Sequence, residues 1–95
     1  MKLQGKKIAI FVENIYEDLE FWYPKIRMLE EGAEVEVIAP KEKIYTGKHG
    51  LPAEVDKVIN KANPEDYDAL IIPGGYSPDH MRRVPEMVGF VQEMN

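Results

Sequence analysis

The 95 residues contain no cysteine. Disulfides, thiolate metal sites and cysteine nucleophiles are therefore excluded within them, and the redox compartment is left open. Long apolar runs are also missing. The longest, residues 8–12, falls far short of the roughly 20 residues that a membrane-spanning helix needs, and residues 1–7 hold no apolar stretch of signal-peptide length. A cytoplasmic protein without a membrane partner is expected. There is no basic stripe either: Lys and Arg number 12 against 17 Asp and Glu, and the net charge of -5 is spread over both signs. Nucleic acid is thus not expected as a partner. What is present, 44% hydrophobic and 31% charged residues, fits one globular domain over 1–95. A chain of this size buries only about two thirds of its unfolded surface, so a missing neighbour would be felt.

Residues 7–12 form a continuous apolar run rich in β-formers, as in a parallel strand covered on both faces. Leu19, Trp22, Tyr23, Ile26 and Leu29 then recur at helical spacing, with Glu17 and Asp18 in the first turn and Gly32 as a stop. Pro24 marks either the true helix start or a kink. Residues 33–39 alternate like an outer strand. Ile44-Tyr45 and residues 51–55 flank Thr46-Gly47-Lys48-His49-Gly50, a glycine-containing turn that predicts a small hairpin. A helical turn over 56–62 and a capped turn at Asn63-Pro64-Glu65-Asp66 follow. Residues 67–72 read as a second buried strand, ending in Pro73-Gly74-Gly75. Ser77-Pro78 fits an N-cap with proline at the first helical position. Val84, Met87, Val88, Val91 and Met94 continue a helical stripe, broken or kinked at Pro85.

This order predicts an α/β fold: a flavodoxin-like open parallel sheet, helices on both faces, with the first strand between its two neighbours. The sheet is incomplete, because nothing follows to cover the far edge of the strand at 69–72. Ligands in such sheets bind beyond the carboxyl ends of the strands, where strand order reverses. The loop around Glu17 and Glu20 and the turn at Gly74-Gly75 should therefore share one cleft. Glu17 and Glu20, three apart, can act on the same group; equally, acids near a helix start simply favour the macrodipole. Gly74-Gly75 is either a tight strand-to-helix turn or the source of a backbone N–H aimed at an oxyanion. His49 reads as a turn residue and His80 as a first-turn helix residue, neither with metal-ligand spacing. Arg82 and Arg83 read as solvated or ion-paired. No nucleotide fingerprint accompanies the double glycine, and neither cofactor nor metal is expected.

Three stretches, Glu17-Asp18-Leu19-Glu20-Phe21-Trp22-Tyr23-Pro24, Thr46-Gly47-Lys48-His49-Gly50 and the run from Asp68 to Arg83, together resemble the ThiJ/PfpI family. The resemblance implies a flavodoxin-like sandwich related to class I glutamine amidotransferases, commonly oligomeric. It implies a cysteine nucleophile followed by histidine after the fourth strand, contacted by a glutamate that maps to Glu20, with Glu17 at the neighbouring acidic position. Gly75 takes the place of the family's oxyanion-hole donor, and Gly74, Tyr76 and His49 fall at substrate-binding positions. The activities implied are those of a peptidase, or of a glyoxalase or deglycase acting on reactive carbonyls, in a stress-response setting.

The sequence departs from that pattern at Asn95, where the family continues into the strand bearing the cysteine. Two expectations compete. In the first, these residues are the N-terminal half of a cysteine-dependent hydrolase, inactive alone, whose partner is a chain carrying the missing half or a further copy. In the second, a non-catalytic truncated protein acts by pairing its exposed strand edge with a partner chain. Flavin or phosphate binding ranks last, since an acidic mouth repels phosphate.

Overall fold

The computed structural model describes residues 3–75 and 81–94. Strand β1 (Lys7–Phe11) lies in the middle of a parallel sheet, flanked by β2 (Glu34–Ala39) on one side and by Ala69–Ile71 on the other. Two residues, Lys57–Val58, extend the sheet beyond β2. Between them the chain makes an antiparallel hairpin of β3 (Tyr45–Thr46) and β4 (Pro52–Ala53). With Lys57–Val58 as β5 and Ala69–Ile71 as β6, the order is β5-β2-β1-β6. The first strand thus sits between its neighbours, as a flavodoxin-like sheet requires.

Successive side chains of β1 point to opposite faces, and each face has its own core. Ala9 and Phe11 join Ile38, Ile59, Tyr67, Met81, Met87 and Phe90 beneath helix α2 (Pro85–Met94). Ile10 and Val12 join Tyr16, Phe21, Val37, Ala39, Tyr45 and Ala53 beneath helix α1 (Asp18–Glu30) and the hairpin. Edge-on ring contacts tie each core, Phe11 to Phe90 at 5.1 Å and Phe21 to Trp22 at 5.3 Å. Fully burying one such ring contributes about 1.5–3 kcal/mol.

Two local expectations change, at α1 and over 56–62. Periodicity locates α1, but the face turned inward is Asp18, Phe21, Trp22, Lys25 and Met28, while Leu19 is 71% and Tyr23 68% exposed, with Ile26 and Leu29 about half exposed. Of the two places expected for Pro24, the helix start is excluded: it lies inside the helix. The helical stripe is broken at Pro85, as expected: Pro85 is the first residue of α2, where its missing N–H has no helical acceptor to lose. Over 56–62, β5 first pairs with β2 before a single 3₁₀ turn, Ile59–Lys61.

The strand at 69–72 is also less buried than its composition implies: residues 69–71 are half-buried and Ile72 is 43% exposed. The cause is its place at the sheet edge, with β1 on one side and, among the described residues, no strand on the other. An apolar cavity of about 380 Å³ opens beside it, lined by Phe11, Ile72, Met81, Met87, Val88 and Val91 among others. The Ser77-Pro78 cap lies outside the described residues. Among the described residues no helix is long and apolar enough to cross a membrane.

Candidate active site

The carboxyl ends of β1 and β6 bring two loops together. The first, leaving β1, turns sharply at Ile15, which adopts φ 60. A β-branched residue rarely takes that conformation, and such strain persists only where the surroundings over-determine it. Here they do: the Ile15 N–H donates to the Thr46 carbonyl at 3.1 Å, and Tyr16 forms a bridge to Gly75. The Glu17 N–H completes the join by donating to the Gly74 carbonyl at 3.0 Å.

The two acidic residues take different places. Glu17 is the N-cap of α1, one of its oxygens accepting from the Leu19 N–H at 3.1 Å. Its other oxygen lies 3.6 Å from His49 Nε2, so the two are an ion pair only when the imidazole is protonated. Glu20, one turn on, accepts from the Gly74 N–H at 2.6 Å. The reading of these acids as helix-start residues thus describes Glu17, whereas Glu20 reaches across to the turn after β6.

Gly75 needs to be glycine. Its φ is +81, and a Cβ there would come within 2.8 Å of the Ile15 carbonyl oxygen and 2.9 Å of the Glu17 nitrogen. Gly75 is exposed, and its N–H has no hydrogen-bond partner among the described residues. The structure therefore gathers Glu17, Glu20, Gly74, Gly75 and, at the rim with its side chain 65% exposed, His49. Tyr76 and His80 lie outside the described residues, and Arg82 and Arg83 are exposed. Among the described residues, no group of three or more acidic or histidine side chains is placed to hold a metal ion.

One residue that holds this cleft together is not recognisable from sequence. Asp18 is 2% exposed, and its two oxygens accept from the His49 N–H at 2.7 Å and the Leu51 N–H at 2.8 Å. Burial pushes its carboxyl up, but the backbone N–H groups of His49, Leu51 and Asp18 itself, with the His49 imidazole, pull harder the other way. It ends below the usual carboxylate value. An acid in a helix's first turn carries no mark of such a distant partner.

Fold and cleft together define a flavodoxin-like α/β protein with its candidate site at the sheet's switch point. The sequence profile of the DJ-1/PfpI family matches residues 6–95, and the chain belongs to that family. It is 39% identical over 88 residues to Deglycase PH1704 of Pyrococcus horikoshii and 38% identical over 88 residues to Deglycase PfpI of Pyrococcus furiosus. Each match covers 93% of this chain and 53% of the relative, so the chain spans about half the length of these curated relatives. A two-domain protein of Anabaena variabilis, with DJ-1/ThiJ/PfpI-like and ferritin-like domains, superimposes with a TM-score of 0.92 at 41% identity. That match covers 95% of this chain and 26% of the other.

Proposed function

We propose that this chain supplies the acidic and oxyanion-stabilising half of a thiol-dependent hydrolase site, the nucleophile coming from a second polypeptide segment. The observation that carries the reading is the Glu20 carboxylate anchored on Gly74, next to exposed Gly75 with its N–H unpaired among the described residues. A carboxylate at that point can tune the ionisation of an arriving thiol, and a fixed N–H can stabilise the oxyanion formed when the thiolate attacks a carbonyl. His49 then borders the substrate. The deglycase names of the Pyrococcus relatives favour glyoxal adducts as substrates, with peptides as the alternative.

The nucleophile-bearing segment has a natural seat. The free edge of β6 and the apolar cavity beside it would accept one further strand, contributed by a chain carrying the cysteine-bearing half. The same edge supports the second reading, a non-catalytic protein that acts through strand pairing alone.

The test is to mix the 95-residue chain with the separately produced remainder of the Pyrococcus furiosus relative and to follow release of glyoxal adducts. Turnover that appears only in the mixture and is abolished by a thiol-blocking reagent is the expected result. A stable complex without turnover would favour strand pairing alone. Thiol-insensitive turnover by the chain by itself would overturn the reading and direct attention to Glu17, Glu20 and a bound water.

A further inference from the structure

We infer that Asp18 is the positioning residue of the candidate site: its buried carboxylate clamps the β3–β4 hairpin onto the first loop, and through that loop sets the contact between Glu20 and Gly74. The inference rests on the reading of Glu20 as the site's carboxylate.

Residues 15–20 are held from two sides. On one side is the hairpin, which receives hydrogen bonds from Ile15 and from the Tyr16 hydroxyl, the latter to the Leu51 carbonyl at 2.6 Å, and donates from the Lys48 N–H to the Tyr16 carbonyl at 2.7 Å. On the other side is the double-glycine turn, bonded to the Glu17 N–H and to the Glu20 carboxylate. Asp18 lies between the residues that make these two sets of contacts. Among the described residues it is the one buried charged side chain, and both of its oxygens are spent on the hairpin backbone.

The fit on the hairpin side leaves no slack. Gly47 is buried against the carboxylate, and a Cβ at that position would lie 2.5 Å from its atoms. Glycine is needed there for close approach, since any side chain would push turn and carboxylate apart. The ionisable groups around Asp18 are the His49 imidazole from the hairpin, the Tyr16 phenol from the first loop, and Glu17 beside it. A buried carboxylate satisfied only by backbone donors is costly to disturb, because whatever replaces it leaves those donors unpaired. The strained turn at Ile15 lies within the same clamp, so its conformation depends on the hairpin staying docked.

The test is NMR on the 95-residue chain. In the native protein the Gly74 amide proton should resonate downfield of its position in Glu20→Ala, because it is hydrogen-bonded to the Glu20 carboxylate. Asp18→Asn keeps the shape but cannot accept from two N–H groups on its two terminal atoms, one of which is now a donor. His49 and Leu51 amides are expected to exchange roughly tenfold faster or more, the scale of a lost charge-assisted bond. The Gly74 amide resonance should move towards its position in Glu20→Ala, as expected when a charge-assisted bond is broken. Faster hairpin exchange with a Gly74 amide resonance that stays at its native position would overturn the inference, leaving Asp18 as a hairpin anchor alone. If Asp18→Asn does not fold, Gly47→Ala keeps the charge and opens the clamp; the same movement at Gly74 supports the inference and its absence overturns it. The reading of Glu20 itself is decided separately, by turnover of Glu20→Gln in the two-part mixture.

Discussion

The carboxyl end and the outer side of the β1–β6 pair are built on opposite terms. At the carboxyl end, the first loop, hairpin and double-glycine turn are tied by short hydrogen bonds, and the one buried charge is fully satisfied by backbone donors. Along the outer side of β6, Ile72 and Val88 stand exposed around an apolar cavity, at a strand edge with no neighbouring strand among the described residues. A polar junction completed within one chain keeps its geometry without help, whereas an uncovered apolar edge is stabilised by whatever fills it. The candidate site belongs to the first kind of region and its proposed nucleophile to the second.

Core truncation should separate the two regions most strongly. Phe21→Ala empties the core under the first loop, where Phe21 meets Tyr16 at a centroid distance of 5.0 Å, and is expected to cost about 3–5 kcal/mol in urea unfolding. Phe11→Ala should fall near the low end of that range of about 3–5 kcal/mol, because Phe11 already borders the open cavity. Equal losses would mean that the edge is as tightly packed as the junction.

Gly75→Ala comes next. With φ +81 and backbone atoms against the would-be Cβ, it should cost on the order of 1–3 kcal/mol and move the amide resonances of residues 15–17. An unchanged melting curve would show that the two loops are not packed as described.

Acid should loosen the junction before the edge. The folded Asp18 carboxyl titrates below its unfolded value, so its contribution to stability is whole above that unfolded value, about 3.9, and is lost as pH falls through the folded one. Amide exchange at His49 and Leu51 should therefore speed up on going from about pH 5 to about pH 3 beyond the intrinsic effect of pH, and Asp18→Asn should abolish that dependence. A native chain whose hairpin is equally protected at both pH values would contradict the clamp.

The smallest effect on stability is expected at the edge. Val88→Gln, on the exposed rim of the cavity, should change unfolding by less than about 0.5 kcal/mol yet weaken self-association or capture of the complementary half in sedimentation. A native chain that stays a monomer at high concentration and ignores the complementary half would remove the edge from the account.

How far these features could be read beforehand follows from the range of the interactions involved. The apolar run of β1, the glycine-bounded hairpin and the meeting of the Glu17–Glu20 loop with Gly74-Gly75 follow from local composition and from the handedness of parallel crossovers. The buried face of α1 does not, because apolar residues at 19, 23 and 26 keep helical spacing whichever side they face. Asp18 was beyond reach for another reason: its partners lie 31 and 33 residues away, and its need for glycine at 47 exists only once the hairpin has docked. Strand β5 is two residues long, too short for a periodic signal.

The proposed site is tested most directly by the pH profile of thiol alkylation in the reconstituted two-part protein, native against Glu20→Gln. The amide keeps the shape of the side chain and removes its titratable group, so the profile should move and the rate near neutral pH should fall. A profile that superimposes on the native one would show that Glu20 does not act on the nucleophile, and would reduce its hydrogen bond to Gly74 to a structural tie.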